Sequence, residues 1–221
     1  MSNVPKIIHQ IVGPGVNEFI LRCLNSWKVL EKHGFAIERW DDSKIADFLY
    51  KFHRFSYDAF INARNHAEAG DIARYLIIHE YGGFYVDWDI ELIDIDAFFS
   101  LKDNYRNGFM LIDPSNGTLA SEFFCCIKSD PFLMGLSKDI AELYENGDRE
   151  KFLTPQFSGP YRMRDSFAKY PNTYMNPIPV KDAFAYDYSE IRNPPEGEIT
   201  QAMIHYWLHS WVSKNLYHVD I

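Results

Sequence analysis

Basic residues are scarce in this chain, cysteines are few, and no long apolar run interrupts its 221 residues. Lys and Arg number 22 against 31 Asp and Glu, giving a formal net charge of -9. That balance excludes non-specific nucleic-acid binding, which needs a basic footprint. It also argues against an anionic substrate held on a Lys/Arg surface alone. A nucleotide diphosphate would need a divalent cation to neutralise it. The three cysteines are Cys23, Cys125 and Cys126. An odd count with two of them adjacent makes no disulfide framework, and without a CxxC spacing it makes no zinc knuckle. Reduced cysteines fit a cytosolic setting. No stretch reaches the length of a membrane span, and the opening residues lack the apolar centre of a signal peptide. The expectation is a cytoplasmic protein with no transmembrane segment. Repeats, low-complexity tracts and long charge runs are missing too, so one domain is expected over 1–221.

What is present suits a folded enzyme. Apolar residues at 47% and charged residues at 24% are ordinary for a globular chain, and the length allows one α/β domain with a sizeable core. Aromatics at 16% exceed what a core requires and suit a cleft that stacks bases or sugar rings. Residues 6–12 read as a buried strand stopped by Gly13-Pro14-Gly15. A helical period follows over 18–33 and closes at Gly34. A second strand is expected over 35–40, then a helix over 44–52 capped from Asp41-Asp42-Ser43. Such alternation marks an α/β sheet. A further helix is predicted over 66–80, ending at Gly82-Gly83, with a strand immediately after it over 84–87. A strand over 108–112 and a helix over 132–145 follow. The Pro-, Asn- and Tyr-rich stretch 171–195 reads as irregular loop, and Asn116-Gly117-Thr118 as a turn.

The chemistry centres on Asp87-Trp88-Asp89, where the strand over 84–87 runs out. Alternate residues of a strand point the same way, so two Asp separated by one residue can share a hard cation. At the C-terminal end of a strand in an open sheet they face the ligand crevice. Asp-x-Asp is otherwise a common solvated loop, and here the preceding buried run sets it apart. Asp71 and Arg74, at i and i+3, lie on one helix face. They form either a plain intrahelical ion pair or hydrogen-bonding groups for sugar hydroxyls, the Arg also meeting phosphate bidentately. Gly70 leaves room for a close approach. His205 and His209 have the spacing of a zinc-protease helix, but Tyr206 stands where that motif needs Glu, so the protease reading fails. His205 is then a metal or diphosphate ligand, or a packed core residue. Ser158-Gly159-Pro160 is a tight turn by composition, and His9-Gln10 end the first strand at the sheet edge, where a nucleotide can bind.

Together these segments resemble a known family. Pro5-Lys6-Ile7-Ile8-His9-Gln10, Asn25-Ser26-Trp27 and Arg39-Trp40-Asp41-Asp42 are similar to the opening landmarks of the DXD-containing sugar transferases of glycosyltransferase family 32. That family includes the yeast initiating α-1,6-mannosyltransferase and bacterial capsular-polysaccharide enzymes. Residues 69–75 and 81–89 resemble its central block, shared more distantly with clostridial glucosylating toxins. Ser158-Gly159-Pro160, His205-Tyr206-Trp207 and Ser210-Trp211 resemble its C-terminal elements. The resemblance implies a GT-A fold: one Rossmann-like α/β domain with a mixed central sheet and helical and loop additions. It implies a retaining, Mn²⁺- or Mg²⁺-dependent hexosyltransferase taking a nucleotide sugar. By position, Asp89 is implied as the direct metal ligand, with Asp87 on the ribose and the metal and His205 as the remaining metal ligand. Asp71 and Arg74 are implied at the donor sugar, so that Asp71, Arg74 and Asp89 form the catalytic set. His9, Gln10, Gly159, Ser210 and Trp211 complete the donor site. Gly70 stands where a Ser is common, His209 where a Gly is common, and Val12-Gly13 replaces an aromatic often found there.

The expected reaction transfers a sugar from a nucleotide donor, UDP favoured, to a saccharide or lipid-linked saccharide, in surface-polysaccharide synthesis at the inner face of the membrane. Retention by double displacement needs a carboxylate under the sugar ring, and the residues single out none, so same-face attack is expected. A sugar-nucleotide pyrophosphorylase is the nearest enzymatic alternative, though Gly13-Pro14-Gly15-Val16-Asn17 lacks the basic residues of its phosphate loop. A catalytically decayed carbohydrate-binding protein is the alternative from another class.

Overall fold

A computed structural model describes residues 2–208. In chain order the elements are β1 (Ile7–Ile11), α1 (Glu18–Ser26), β2 (Ala36–Trp40), α2 (Asp42–Phe52), α3 (Arg54–Ile61), α4 (His66–Tyr81), β3 (Gly83–Val86), β4 (Ile90–Leu92), α5 (Ile95–Asn104), β5 (Gly108–Ile112) and β6 (Leu119–Cys126). They continue with α6 (Pro131–Glu145), α7 (Thr154–Phe157), α8 (Pro160–Lys169), β7 (Asn176–Pro179) and β8 (Met203–His205). Six strands form a mixed sheet in the order β2-β1-β3-β6-β5-β7. β1 is parallel to both β2 and β3, and β6 is antiparallel to β3 and β5. β4 and β8 pair antiparallel in a separate two-stranded ribbon.

The sheet separates two cores because side chains alternate along each strand. Tyr85, Met110, Phe124 and Cys126 face one core, with Ile72, Leu76 and Ile77 of α4 and Leu133 and Leu136 of α6. Phe84, Val86, Phe109, Phe123 and Cys125 face the other, with Trp27, Leu30, Phe98 of α5 and Met203 of β8. Cys125 and Cys126 therefore point to opposite layers, and all three cysteines are free and buried. Among the described residues no helix is long and apolar enough to cross a membrane.

Helix ends follow the expected chemistry. Asp41 accepts from Lys44 N–H at the start of α2, and Asn65 from Glu68 N–H at the start of α4. Gly82 closes α4 at a positive φ of +64°, its N–H donating to Ile78 O. The period over 18–33 predicts one helix, but the chain tightens to a 3₁₀ helix over Trp27–His33. Ser26 Oγ donates to Cys23 O and accepts from Leu92 N–H, while Trp27 Nε1–H donates to Ile90 O. These bonds tie the α1 end to β4 and set the tighter path. The stretch 171–195 is not wholly irregular: β7 pairs parallel with β5, and a 3₁₀ turn covers Val180–Asp182. Strand β7 carries two prolines and lies at the sheet edge, where a missing N–H is tolerated.

Gly108 opens β5 where no side chain fits. Its φ is +119°, and an added Cβ would lie 2.1 Å from Cys125 O, a backbone atom that cannot yield. Gly117, in the turn read from 116–118, has φ +72° and nothing within 4 Å of such a Cβ. Gly108→Ala is expected to destabilise by about 2–4 kcal/mol through strain and overpacking. Gly117→Ala should cost only the left-handed penalty of about 1–2 kcal/mol. Urea midpoints of the two variants, compared at equal m-value, check the difference; equal losses would refute the steric account.

Candidate active site

The C-terminal ends of β1 and β3 open into a cleft of about 360 Å³, within the range of small-molecule sites. Helix α4 forms one wall. Ala69, Ile72 and Ala73 pack into the core, and the same helix turns Gly70, Asp71 and Arg74 to the cleft. Asp71 and Arg74 are each only 5% exposed. Arg74 Nη2 lies 3.4 Å from Asp71 Oδ1, and Nη1 lies 3.2 Å from Asp87 Oδ1 and donates to Ser121 O at 2.8 Å. The guanidinium sits 4.6 Å over the Tyr85 ring, and Tyr85 Oη–H donates to Asp87 Oδ1 at 2.5 Å. Gly70 makes room for this fork, since a Cβ there would come within 3.1 Å of Arg74 Nη2. The pair is thus more than an intrahelical bridge: Arg74 links α4 to β3 and β6. Its Nε is buried without a partner among the described residues, a donor left for a ligand oxygen.

Asp87 follows β3, and Asp89 lies two residues on, where the chain enters β4. The ribbon brings β8 alongside, with His205 opposite Ile90. Asp87, Asp89 and His205 each offer a ligand atom within 4.8 Å of the others. His205 Nε2 is 3.5 Å from Asp89 Oδ1, while Leu208 N–H donates to Asp89 Oδ2 at 2.9 Å. Trp207, with φ +46°, makes the left-handed turn that aims this N–H at the carboxylate, and its ring packs 4.1 Å from His205.

Electrostatics in the cleft favour a cation. Burial pushes the Asp87 and Glu122 carboxyls up, outweighing Arg74 beside the first and His205 beside the second. Burial opposes charge on Asp89 and His205 as well. Their mutual contact prevails, holding the Asp89 carboxyl below its usual range and the imidazole above its own. Six carboxylates, Asp71, Asp87, Asp89, Asp113, Glu122 and Asp187, thus line the cleft with one guanidinium. Two carboxylates and an imidazole are a donor set suited to Mn²⁺ or Mg²⁺. His205 Nδ1, buried without a hydrogen bond among the described residues, leaves the ring free to be held as a ligand.

Asp71 is perturbed by its burial in the cleft wall. Burial raises its carboxyl to about 6, against Arg74 and the Ser158 hydroxyl, which lower it. Ser158 Oγ–H donates to Asp71 Oδ2 at 2.8 Å, and Tyr75 Oη–H holds Ser158 O. Between the unfolded value of 3.8 and about 6 the folded protein binds more protons, so stability falls as pH rises through that window. The ionised form costs about 3 kcal/mol above it. In metal-free buffer at pH 7.5, Asp71→Asn is expected to be more stable than the parent by about 1–3 kcal/mol. The low end allows for an amide N–H facing the guanidinium. The gain should shrink towards zero as pH falls to about 4, and urea titrations across pH check it; a pH-independent difference would refute the assignment.

Of the other residues expected at the donor site, His9 and Gln10 do not line the cleft. His9 is buried in β1 on the α4 side. Its Nδ1 accepts from Trp40 Nε1–H, so Nε2 carries the proton and donates to Gly82 O. Burial lowers its pKa to about 4, so the ring is neutral. Gln10 points to the opposite layer, donating to Leu24 O and accepting from Arg39. Both polar side chains are satisfied by the fold, and Ile11 is the β1 residue that reaches the cleft. Gly159 caps α8, and a Cβ there would press within 3.2 Å of Asp71 Oδ2, so its smallness serves Asp71. Ser210, Trp211 and His209 lie outside the described residues. Glu122 and Ser121 of β6 were not anticipated from the sequence. The signal was a lone acid inside the apolar run Leu119–Cys126.

Residues 19–97 match the family described as the glycosyltransferase sugar-binding region containing DXD motif. The span holds Asp71, Arg74, Asp87 and Asp89. Inositol phosphoceramide mannosyltransferase 1 of Schizosaccharomyces pombe is 25% identical over 191 residues, 84% of this chain and 58% of that protein. An uncharacterised glycosyltransferase of Acanthamoeba polyphaga mimivirus is 30% identical over 129 residues, 51% of each chain. The chain therefore spans little more than half the length of these curated relatives. The solved PaToxG glycosyltransferase shares the fold with a TM-score of 0.56 at 15% identity, over 76% of this chain and 70% of that one. The architecture is the expected GT-A type, an α/β unit with a mixed central sheet.

Proposed function

We propose that the chain is a metal-dependent retaining glycosyltransferase of family 32, built as one GT-A domain over 1–221 and transferring a hexosyl group from a nucleotide sugar to a saccharide or lipid-linked saccharide. The convergence of Asp87, Asp89 and His205 beside the buried Asp71–Arg74 pair carries the reading. In this reading Asp87, Asp89 and His205 hold Mn²⁺ or Mg²⁺, which as a Lewis acid offsets charge building on the leaving diphosphate. Asp71 accepts hydrogen bonds from donor-sugar hydroxyls, and Arg74 Nε–H donates to a sugar or phosphate oxygen. Leu208 N–H and the Tyr85 hydroxyl orient the two carboxylates for that role. Arg74 fixes Asp87 and Asp71 in one arrangement before the donor arrives, so little reorganisation accompanies reaction.

Retention is assigned to same-face attack within an oxocarbenium-like ion pair. A UDP-hexose, of glucose or galactose type, is the favoured donor, and assembly of a surface polysaccharide at the cytoplasmic face is the favoured setting. The fission-yeast relative is named for mannosyl transfer to inositol phosphoceramide, so GDP-mannose and a lipid-linked acceptor belong in the same screen. Slow donor hydrolysis is measured over UDP- and GDP-sugars with and without Mn²⁺. Turnover of one donor, lost in EDTA, is the expected result. No turnover of any donor, with sugar binding retained, would support a decayed carbohydrate-binding protein instead.

A further inference from the structure

Glu122 has no role in the site as described, yet it occupies a special place beside His205. The two ring nitrogens of His205 face two different carboxylates. Nε2 is 3.5 Å from Asp89 Oδ1, on the side where the three candidate metal ligands converge. Nδ1 is 3.7 Å from Glu122 Oε1 and has no hydrogen bond among the described residues. Phe184 and Trp207 pack against the ring at 5.5 and 4.1 Å between centroids. Glu122 itself is fixed from behind, since its carbonyl accepts from Asp87 N–H at 3.0 Å. One strand residue thus ties its backbone to one candidate ligand and its carboxylate to another.

A nitrogen that binds a metal must be unprotonated, so the proton of a neutral imidazole sits on the other nitrogen. A carboxylate receiving that proton's hydrogen bond fixes the tautomer and the ring's orientation. We propose that Glu122 is the positioning residue of the metal site: its carboxylate accepts from His205 Nδ1–H and thereby presents Nε2 to the cation. This rests on the metal-dependent reading above and adds a residue to it. Closing from 3.7 Å to hydrogen-bond distance needs a shift of less than 1 Å, within the reach of a glutamate rotamer.

The test titrates Mn²⁺ alone, without donor, into the full chain and counts free ion by electron paramagnetic resonance. Glu122→Ala is expected to weaken Mn²⁺ binding about 10–100-fold. Glu122→Gln, whose amide oxygen still accepts from Nδ1–H, should stay within about threefold of the parent, an estimate from the preserved acceptor. Equal affinity in Glu122→Ala and the parent would overturn the role. So would a Glu122→Gln as weak as Glu122→Ala, which would make Glu122 a direct ligand. A parent that binds no Mn²⁺ would overturn the metal-dependent reading as well. A second measurement reads the ring directly: ¹⁵N spectra of labelled histidines with Mg²⁺, His205 assigned by its loss in His205→Gln. Nδ1–H is expected in the parent and a mixture in Glu122→Ala; Nε2–H in the parent would refute the proposal.

Discussion

Asp89→Asn is expected to lower donor turnover by at least about 10³-fold, the scale of losing one group that stabilises developing charge. Its folded structure should persist. The amide oxygen can still accept from Leu208 N–H, the bond that ties Asp89 to the C-terminal segment. What disappears is the negative charge facing His205 Nε2. Stability separates this from damage to the fold. The Asp89–His205 contact outweighs the burial of both groups, so the metal-free variant should melt somewhat below the parent while keeping a cooperative transition. A saturating cation at 100 times its Kd adds about 2.7 kcal/mol to the parent, a gain the variant should lack. A variant that keeps both its turnover and its Mn²⁺-dependent rise in Tm would remove Asp89 from the site.

The contrast between Asp71 and His9 shows what the residue pattern could and could not reveal. Asp71, Arg74, Asp87 and Asp89 were legible because local rules place them: helix spacing puts the first two on one face, and a strand running out puts the last two at a crevice. Helix α4 and strands β1, β2, β3 and β5 were legible for the same reason, each being a strongly periodic or apolar segment between turn residues. His9 and Gln10 sit at the right end of the right strand, yet their side chains answer to Trp40, Gly82, Leu24 and Arg39. Those partners are distant in sequence, and no local pattern announces them. Strand β6 was missed because its Leu-Ala-Ser-Glu-Phe-Phe-Cys-Cys run, buried on both faces, shows no alternation of polarity. Glu122 went unnoticed with it. The short ribbon of β4 and β8 has only three residues in each strand, below what any periodicity can register. It is nevertheless the device that carries His205 to Asp89.

Arg74→Met should cost about 3–5 kcal/mol of stability, the scale of leaving buried charge uncompensated. Arg74 holds its charge despite burial, because Asp87, Tyr85 and Asp71 surround it. Removing it strands Asp71 and Asp87 and frees Ser121 O of its donor. Arg74→Lys keeps the charge, but one ammonium cannot match a planar fork that meets Asp71 from Nη2 and both Asp87 and Ser121 O from Nη1. It should fall between the two and still lose most turnover. Combining Arg74→Met with Asp71→Asn tests the cause. If the loss comes from stranded carboxylates, the double variant recovers part of it, with a coupling energy of about 1–3 kcal/mol in urea titrations. Mn²⁺ should also stabilise Arg74→Met, since a cation bound at Asp87 replaces part of the missing charge. Strict additivity of the two substitutions would mean that Arg74 supports the fold through packing on Tyr85 alone, and that the cleft's carboxylates never depended on it.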